Sequence, residues 1–127
     1  TRLSGDDDLT DSVDRRFDTL FATNHKFYGA MDYFPRLLDA GGLDDAFLTA
    51  TVTPSLRWRV SAAVHRFASA AEAVNGRVLG TELDLGASTD LAPAASVGLG
   101  VSLFRATERF GAGETTAWAF LTSRVHF

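Results

Sequence analysis

The 127-residue chain has no cysteine and no isoleucine, and it has only three prolines and one methionine. The absence of cysteine excludes a disulfide framework, a thiolate zinc site and a cysteine nucleophile. Twelve Lys and Arg residues against sixteen Asp and Glu residues give a formal charge of −4. There is therefore no basic face, and we expect no nucleic-acid partner.

Long hydrophobic runs are missing as well. The two longest uncharged stretches, 46–56 and 91–104, contain small and polar residues, and neither supplies the roughly 18 apolar residues of a membrane-spanning helix. Eleven glycines against three prolines, together with 11% aromatic residues, favour β-structure. A chain of this length has room for one domain.

The chain divides into two parts at about residue 46. Residues 1–45 are irregular in pattern, so we predict a long loop segment there, and loops of this length are usually functional. The acidic run Asp6–Asp8 offers carboxylate oxygens, but it lacks the glycine-centred ligand spacing of a calcium loop. We therefore predict a solvated acidic run and no metal ion.

Residues 46–127 alternate apolar and polar side chains with a period of two, which predicts strands with one apolar face each. The predicted strands are 46–53, 57–67, 80–91, 95–105 and 116–127. The connections alternate between short ones, at 53–56 and 92–94, and long ones, at 68–79 and 106–115. Such an alternation predicts an antiparallel meander of hairpins.

An antiparallel sheet with one apolar face has two interpretations, a soluble sheet over a core or a sheet in a membrane. The apolar faces here are rich in alanine, and the strand lengths match a tilted membrane crossing of about 9–11 residues. Short and long connections also alternate in membrane barrels. These features favour an antiparallel transmembrane β-barrel fragment, in which no second protein layer covers the apolar side chains of Val60, Leu85, Leu99 and Leu121.

The opposite, polar face then lines a pore. The predicted pore-lining residues are Arg57, Arg59, His65, Glu82, Asp84, Asp90, Arg124 and His126. We expect His65 near Glu82 or Asp84, and Arg57 or Arg59 near Asp90, because opposite charges on facing strands compensate each other. We expect Arg124 to face Gly98 and Gly100, without an acidic neighbour, and predict that it is the solute-facing cation.

Two further arginines, Arg66 and Arg105, continue the phase of the apolar face at the end opposite Trp58 and Phe127. Two interpretations are open for them. They are either solvated strand ends or side chains that extend toward lipid phosphates.

A resemblance to a known protein family is found mainly in one segment of the sequence. The block Thr23–Phe34 (TNHKFYGAMDYF) resembles the segment before the last strands of alginate export family outer-membrane porins. Segments 4–7, 17–21, 42–48, 65–67 and 79–85 resemble the same family in the same order. The terminal Phe127, with Val125 and Leu121 in phase, is similar to the carboxy-terminal signal of outer-membrane barrels.

The resemblance implies an outer-membrane porin of Gram-negative bacteria that exports or takes up small or polymeric solutes, including anionic polysaccharides like alginate, by passive diffusion. Its implied partners are outer-membrane lipid and lipopolysaccharide, the barrel-assembly machinery acting on the Phe127 strand, and the remaining strands of the barrel. Because single-chain barrels begin at about eight strands, we expect the chain to be the carboxy-terminal part of one barrel domain, with residues 1–45 as an extracellular loop. Several copies that assemble one barrel are the alternative.

Within the resembling block, His25, Lys26 and Tyr28 form a loop motif with two interpretations. They gate the pore or contact the solute, or the neighbouring aromatic residues pack the loop onto itself or into the barrel mouth.

Two other classes of function compete with the porin. One is a soluble β-rich binding module, and the other is an outer-membrane barrel hydrolase that uses Ser61, His65 and Asp84. The serine and histidine lie four residues apart on an extended strand, roughly 13 Å, which is too far for proton transfer. We therefore predict no enzyme and no cofactor.

Overall fold

The period-two pattern becomes one antiparallel sheet in a computed structural model of the chain. Its six strands are β1 (Arg2–Leu3), β2 (Leu43–Ser55), β3 (Trp58–Ser69), β4 (Val78–Ala92), β5 (Ala95–Ala106) and β6 (Thr115–Val125), and they lie side by side in chain order. The structure describes residues 1–5, 10, 12–13, 15, 17, 24–34, 42–70, 77–108 and 113–127. Asp6–Asp8 and Thr23 lie outside this set. Within it, no helix is long and apolar enough to cross a membrane.

The all-β class is confirmed, but the predicted number of about five strands is wrong for the described part of the chain. β1 and the first residues of β2 lie inside the segment 1–45 that we predicted as loop. A strand of two residues shows no alternation, so the sequence pattern does not reveal it. β1 is held in the sheet by backbone pairing with β2, with Leu3 opposite Leu43.

The carboxy-terminal strand is also shorter than predicted. β6 ends at Val125, so His126 and Phe127 follow the strand instead of forming its last residues. The backbone N–H of His126 donates to the carbonyl oxygen of Ala94 at 2.9 Å, across the neighbouring turn.

The two ends of the sheet differ in the length of their connections. Two-residue connections, Leu56–Arg57 and Pro93–Ala94, join β2 to β3 and β4 to β5, and we name this end the turn end. Longer connections, 70–77 and 107–114, lie at the opposite end, which we name the loop end. The predicted alternation of short and long connections is therefore present, although Arg57 lies in a turn and not in a strand.

Residues 24–34, which begin with a 3₁₀ turn at Asn24–Lys26, lie against one face of the sheet at the loop end. The buried apolar residues there are Leu3, Tyr28, Phe34, Leu43, Phe67, Phe104 and Ala106. The ring of Phe34 lies 4.7 Å from that of Phe67 and 5.6 Å from that of Phe104. Aromatic pairs at such distances add about 0.5–1.5 kcal/mol each beyond the burial of their surface. The described apolar core thus joins this segment to the sheet.

Candidate functional site

The two faces of the sheet differ in chemistry. We call the face that carries residues 24–34 the inner face and the opposite one the outer face. The outer face presents the exposed apolar side chains of Leu48, Val52, Trp58, Val60, Val64, Leu85, Leu99, Val101, Leu103, Leu121 and Val125. The exposed fractions are 39, 49, 56 and 75% for Val60, Leu85, Leu99 and Leu121. For the described residues, the prediction that no second layer of this molecule covers them is confirmed.

The inner face carries small and polar residues where residues 24–34 do not cover it. Its open part consists mainly of Ser61, Gly86, Ser88, Asp90, Ser96, Gly98, Gly100 and Thr122. Two aromatic residues of β6, Trp118 and Phe120, also lie on this face, although they are not among the predicted pore-lining residues. Phe120 pairs with Gly100, and a Cβ on that glycine would meet the Phe120 ring. The missing side chain therefore lets the ring lie against β5.

A cavity of about 510 Å³ lies on the inner face at the turn end. It is lined by Arg57, Asp90, Ser96, Arg124 and His126 together with apolar residues of the β4–β5 turn. Three of the predicted solute-contact residues, the two arginines and His126, thus meet in one place with a single described carboxylate. The expected proximity of Arg57 and Asp90 is present through the backbone, since the Asp90 N–H donates to the Arg57 carbonyl oxygen at 3.1 Å.

The predicted position of Arg124 is wrong in detail. Arg124 pairs with Ser96, while Gly98 pairs with Thr122 and Gly100 with Phe120. β5 and β6 are not joined by a tight turn that would fix their register, so the strand pattern alone does not give it. Nevertheless, Arg124 forms no ion pair with a described residue.

Arg59 lies in a second, shallower depression of the inner face, with Phe120 and Thr122 on the opposite side. Neither Arg59 nor Arg57 forms an ion pair with a described residue within 4 Å. The compensation of these two arginines by facing carboxylates is therefore absent from the described residues. Three unpaired guanidinium groups instead face the open part of the inner face.

Two of the three predicted acidic residues, Glu82 and Asp84, lie around His65, nearer the loop end. His65 pairs with Glu82 in the sheet register, and its Nε2 lies 3.6 Å from an Asp84 oxygen. Its Nδ1 lies 3.0 Å from an Asp45 oxygen, a partner that was not predicted because residue 45 was expected to lie in the loop segment. A signal was present, since Asp45 continues the inner-face phase of β2. Both ring nitrogens face carboxylates, so neither is directed at Ser61, the serine of the hydrolase alternative.

Glu82 connects the sheet to residues 24–34. Its side chain is only 1% exposed, and its Oε1 accepts a hydrogen bond from the backbone N–H of Met31 at 3.2 Å. Gly29, at a φ of 80°, lies so close that an added Cβ would be 2.5 Å from the same oxygen. At Gly29 the backbone of the segment lies close to the sheet, and the positive φ together with the short distances to an added Cβ favours glycine there.

The loop motif splits into buried and exposed residues. Tyr28 is buried in the aromatic core, whereas His25 is exposed and stacks on Trp118, with ring centroids 6.0 Å apart. His25 Nδ1 lies 3.0 Å from an Asp32 oxygen. Burial raises the pKa of Asp32 above its usual range, and the neighbouring His25 opposes part of this rise. Lys26 belongs to the 3₁₀ turn. Residues 24–34 thus extend over the inner face as far as β6.

No family model, curated protein or solved structure matches the chain. Among the residues that the structure describes, no group of three or more His, Asp or Glu side chains is arranged to hold a metal ion. The contrasting chemistry of the two faces of the sheet is therefore the main indication of function.

Proposed function

We propose that the chain forms part of the wall of a channel in the outer membrane of Gram-negative bacteria, with lipid against its outer face. The observation that supports this proposal is the continuous exposed apolar surface on strands β2 to β6. Monomeric soluble proteins rarely expose one contiguous apolar patch of this kind, whereas a membrane barrel requires it. Membership of the alginate export family stays a prediction from the sequence.

The height of this surface fits a bilayer. On β3 it runs from Trp58 at the turn end to Arg66 near the loop end. At about 3.4 Å per residue these positions are roughly 27 Å apart along the strand. With a strand tilt of about 40°, this length spans roughly 21 Å of the membrane normal. The apolar band of outer-membrane barrels is about 25 Å tall.

The inner face supports passage of anionic solutes by passive diffusion. Arg57, Arg59 and Arg124 point into the open part of this face, and Asp90 is the described carboxylate among them. Fixed cations in a pore raise the local concentration of anions and lower that of cations. We propose that residues 24–34 narrow the same pathway at the loop end, where they cover the inner face.

Ion selectivity tests this proposal. In planar bilayers, we expect channels containing this chain to pass chloride in preference to potassium, as measured by the reversal potential in a salt gradient. The double substitution Arg57→Gln and Arg124→Gln is expected to shift the reversal potential toward potassium. The double substitution Arg66→Gln and Arg105→Gln removes the same two charges from the outer face and serves as the matched control. A chain that partitions into the soluble fraction, or channels whose selectivity the Arg57 and Arg124 double variant leaves unchanged, would contradict the proposal.

A further inference from the structure

The upper edge of the outer face, at the loop end, carries a row of arginines and threonines. The strand register places Arg66 opposite Thr81, Thr81 opposite Arg105, and Arg105 opposite Thr115. The next row toward the turn end is apolar and consists of Leu48, Val64, Leu83, Leu103 and Ala117. The outer face therefore changes from apolar side chains to arginine and threonine side chains between two adjacent rows.

These arginines have no described acidic partner. Arg66 and Arg105 are exposed and form no ion pair within 4 Å with a described residue. Glu108 lines a depression together with Thr81 and Arg105, but it forms no ion pair with either arginine within 4 Å. Asp44 lies toward the same end of the sheet and is already bound by two other arginines. Its oxygens lie 2.6 Å from the Arg2 side chain and 2.7 Å from that of Arg77. Near the loop end, the four arginines Arg2, Arg66, Arg77 and Arg105 thus outnumber the described carboxylates Asp44 and Glu108, and Arg66 and Arg105 remain without an ion pair.

The spacing of the two free arginines suits phosphate groups at a membrane surface. They lie two strands apart, which is about 10 Å at the usual strand separation. The alkyl part of each side chain can lie over the apolar row, with Val64 next to Arg66 and Leu103 next to Arg105, while the guanidinium extends beyond it. A guanidinium group binds phosphate oxygens in a bidentate manner. The hydroxyl of Thr81 lies between the two and offers a further donor.

We propose that Arg66, Thr81 and Arg105 form a binding site for the phosphate groups of a lipid headgroup, that of lipopolysaccharide in the outer leaflet. This inference rests on the proposed membrane function, because the site adjoins lipid only if the outer face does. It also fixes the orientation of the sheet, with the loop end at the outer surface of the membrane.

Vesicle binding by the full chain tests the site. The probes are phosphatidylcholine vesicles alone, the same vesicles with bisphosphorylated lipid A, and vesicles with dephosphorylated lipid A, with bound protein measured by co-sedimentation. We expect a preference of about thirtyfold for bisphosphorylated lipid A, or about fivefold for each arginine. The double substitution Arg66→Gln and Arg105→Gln is expected to remove this preference. The control pair Arg57→Gln and Arg59→Gln removes the same charge from the inner side and is expected to retain it.

Three results would overturn the inference, and they separate it from the channel proposal. If every form binds phosphatidylcholine vesicles but the Arg66 and Arg105 double variant keeps its lipid A preference, only the phosphate site is wrong. If inorganic phosphate in solution abolishes the preference at the concentration of the lipid phosphate, the site takes free phosphate and not a lipid headgroup. If the wild-type chain binds none of the vesicles, both proposals fail.

Discussion

The two tryptophans give a direct test of which face meets lipid, because they lie on opposite faces of the sheet. Trp58 lies on the outer face and is 48% exposed, whereas Trp118 lies on the inner face and is 37% exposed. The substitutions Trp118→Phe and Trp58→Phe each leave one reporter. Since the two indoles are similarly exposed, a difference in their quenching reports the surrounding medium and not the degree of burial.

The depth of the outer reporter follows from the strand geometry. Trp58 and Arg66 are separated by roughly 21 Å along the membrane normal at a tilt of about 40°. If the arginine lies at one edge of the apolar band, Trp58 lies at the other edge, about 10 Å from the bilayer midplane. This is the depth at which tryptophan side chains collect in membrane proteins, close to the headgroups.

The assay is fluorescence of the two single-tryptophan variants in lipid vesicles that contain brominated acyl chains. We expect bromine near the upper acyl carbons to quench Trp58 more strongly than bromine near the chain ends, and aqueous iodide to quench it weakly. For Trp118 we expect the reverse, with iodide accessible through the inner face and little effect of brominated lipid. Equal quenching of both reporters by brominated lipid, or strong quenching of Trp58 by iodide, would refute the assignment of lipid to the outer face.

Three further predictions concern the folded chain in detergent micelles. Gly29→Ala and Gly113→Ala both place a Cβ at positive φ, which costs about 1–2 kcal/mol of folding stability. We expect a further loss of about 1–3 kcal/mol only for Gly29→Ala, because the space around Gly113 is open. Equal free energies of unfolding for the two variants would contradict this. Gly100→Ala is expected to cost about 1 kcal/mol of stability and to alter the emission of Trp118, since the added Cβ displaces the Phe120 ring. Gly86→Ala is the control, because its Cβ meets only a serine hydroxyl that can rotate. An unchanged emission spectrum for Gly100→Ala would contradict the packing of Phe120 against β5. Burial raises the pKa of Asp32, so the folded chain binds this proton more tightly than the unfolded chain, and the carboxyl lowers stability as the pH rises through its pKa. Asp32→Asn is expected to remove this pH dependence and to change the free energy of unfolding at pH 7 by less than about 1 kcal/mol. A variant whose stability changes with pH as steeply as that of the wild type would refute this.

The long strands were predictable from the sequence because their side chains alternate over eight or more residues. β5 begins at Ala95 as predicted, and the other long strands begin and end within about three residues of their predicted bounds. The assignment of Val60 and Leu99 to one exposed face follows from the same alternation. The connection lengths also distinguished the two ends of the sheet, because turns of two residues leave no room for other structure.

The parts that could not be predicted depend on contacts between distant segments. The side-chain contact between Asp45 and His65 could not be predicted, because β2 begins before the alternation of its side chains becomes visible in the sequence. The position of Arg124 depends on the register across a long connection, and a shift of two residues in that register changes its partner from Gly98 to Ser96. The contact between Glu82 and the Met31 backbone involves a main-chain donor, which carries no side-chain signal in the sequence.

The unequal connections of the sheet determine where the chain tolerates a change of length. At the turn end, Leu56–Arg57 and Pro93–Ala94 hold adjoining strands with two residues each, so a single added or deleted residue would shift the pairing and exchange the two faces. At the loop end, the connections 70–77 and 107–114 are long enough for an insertion to cost little more than a small increase in loop-closure entropy. An epitope tag or a labelling peptide therefore belongs in these longer connections, and sequence drift in length should accumulate there and not at the turns.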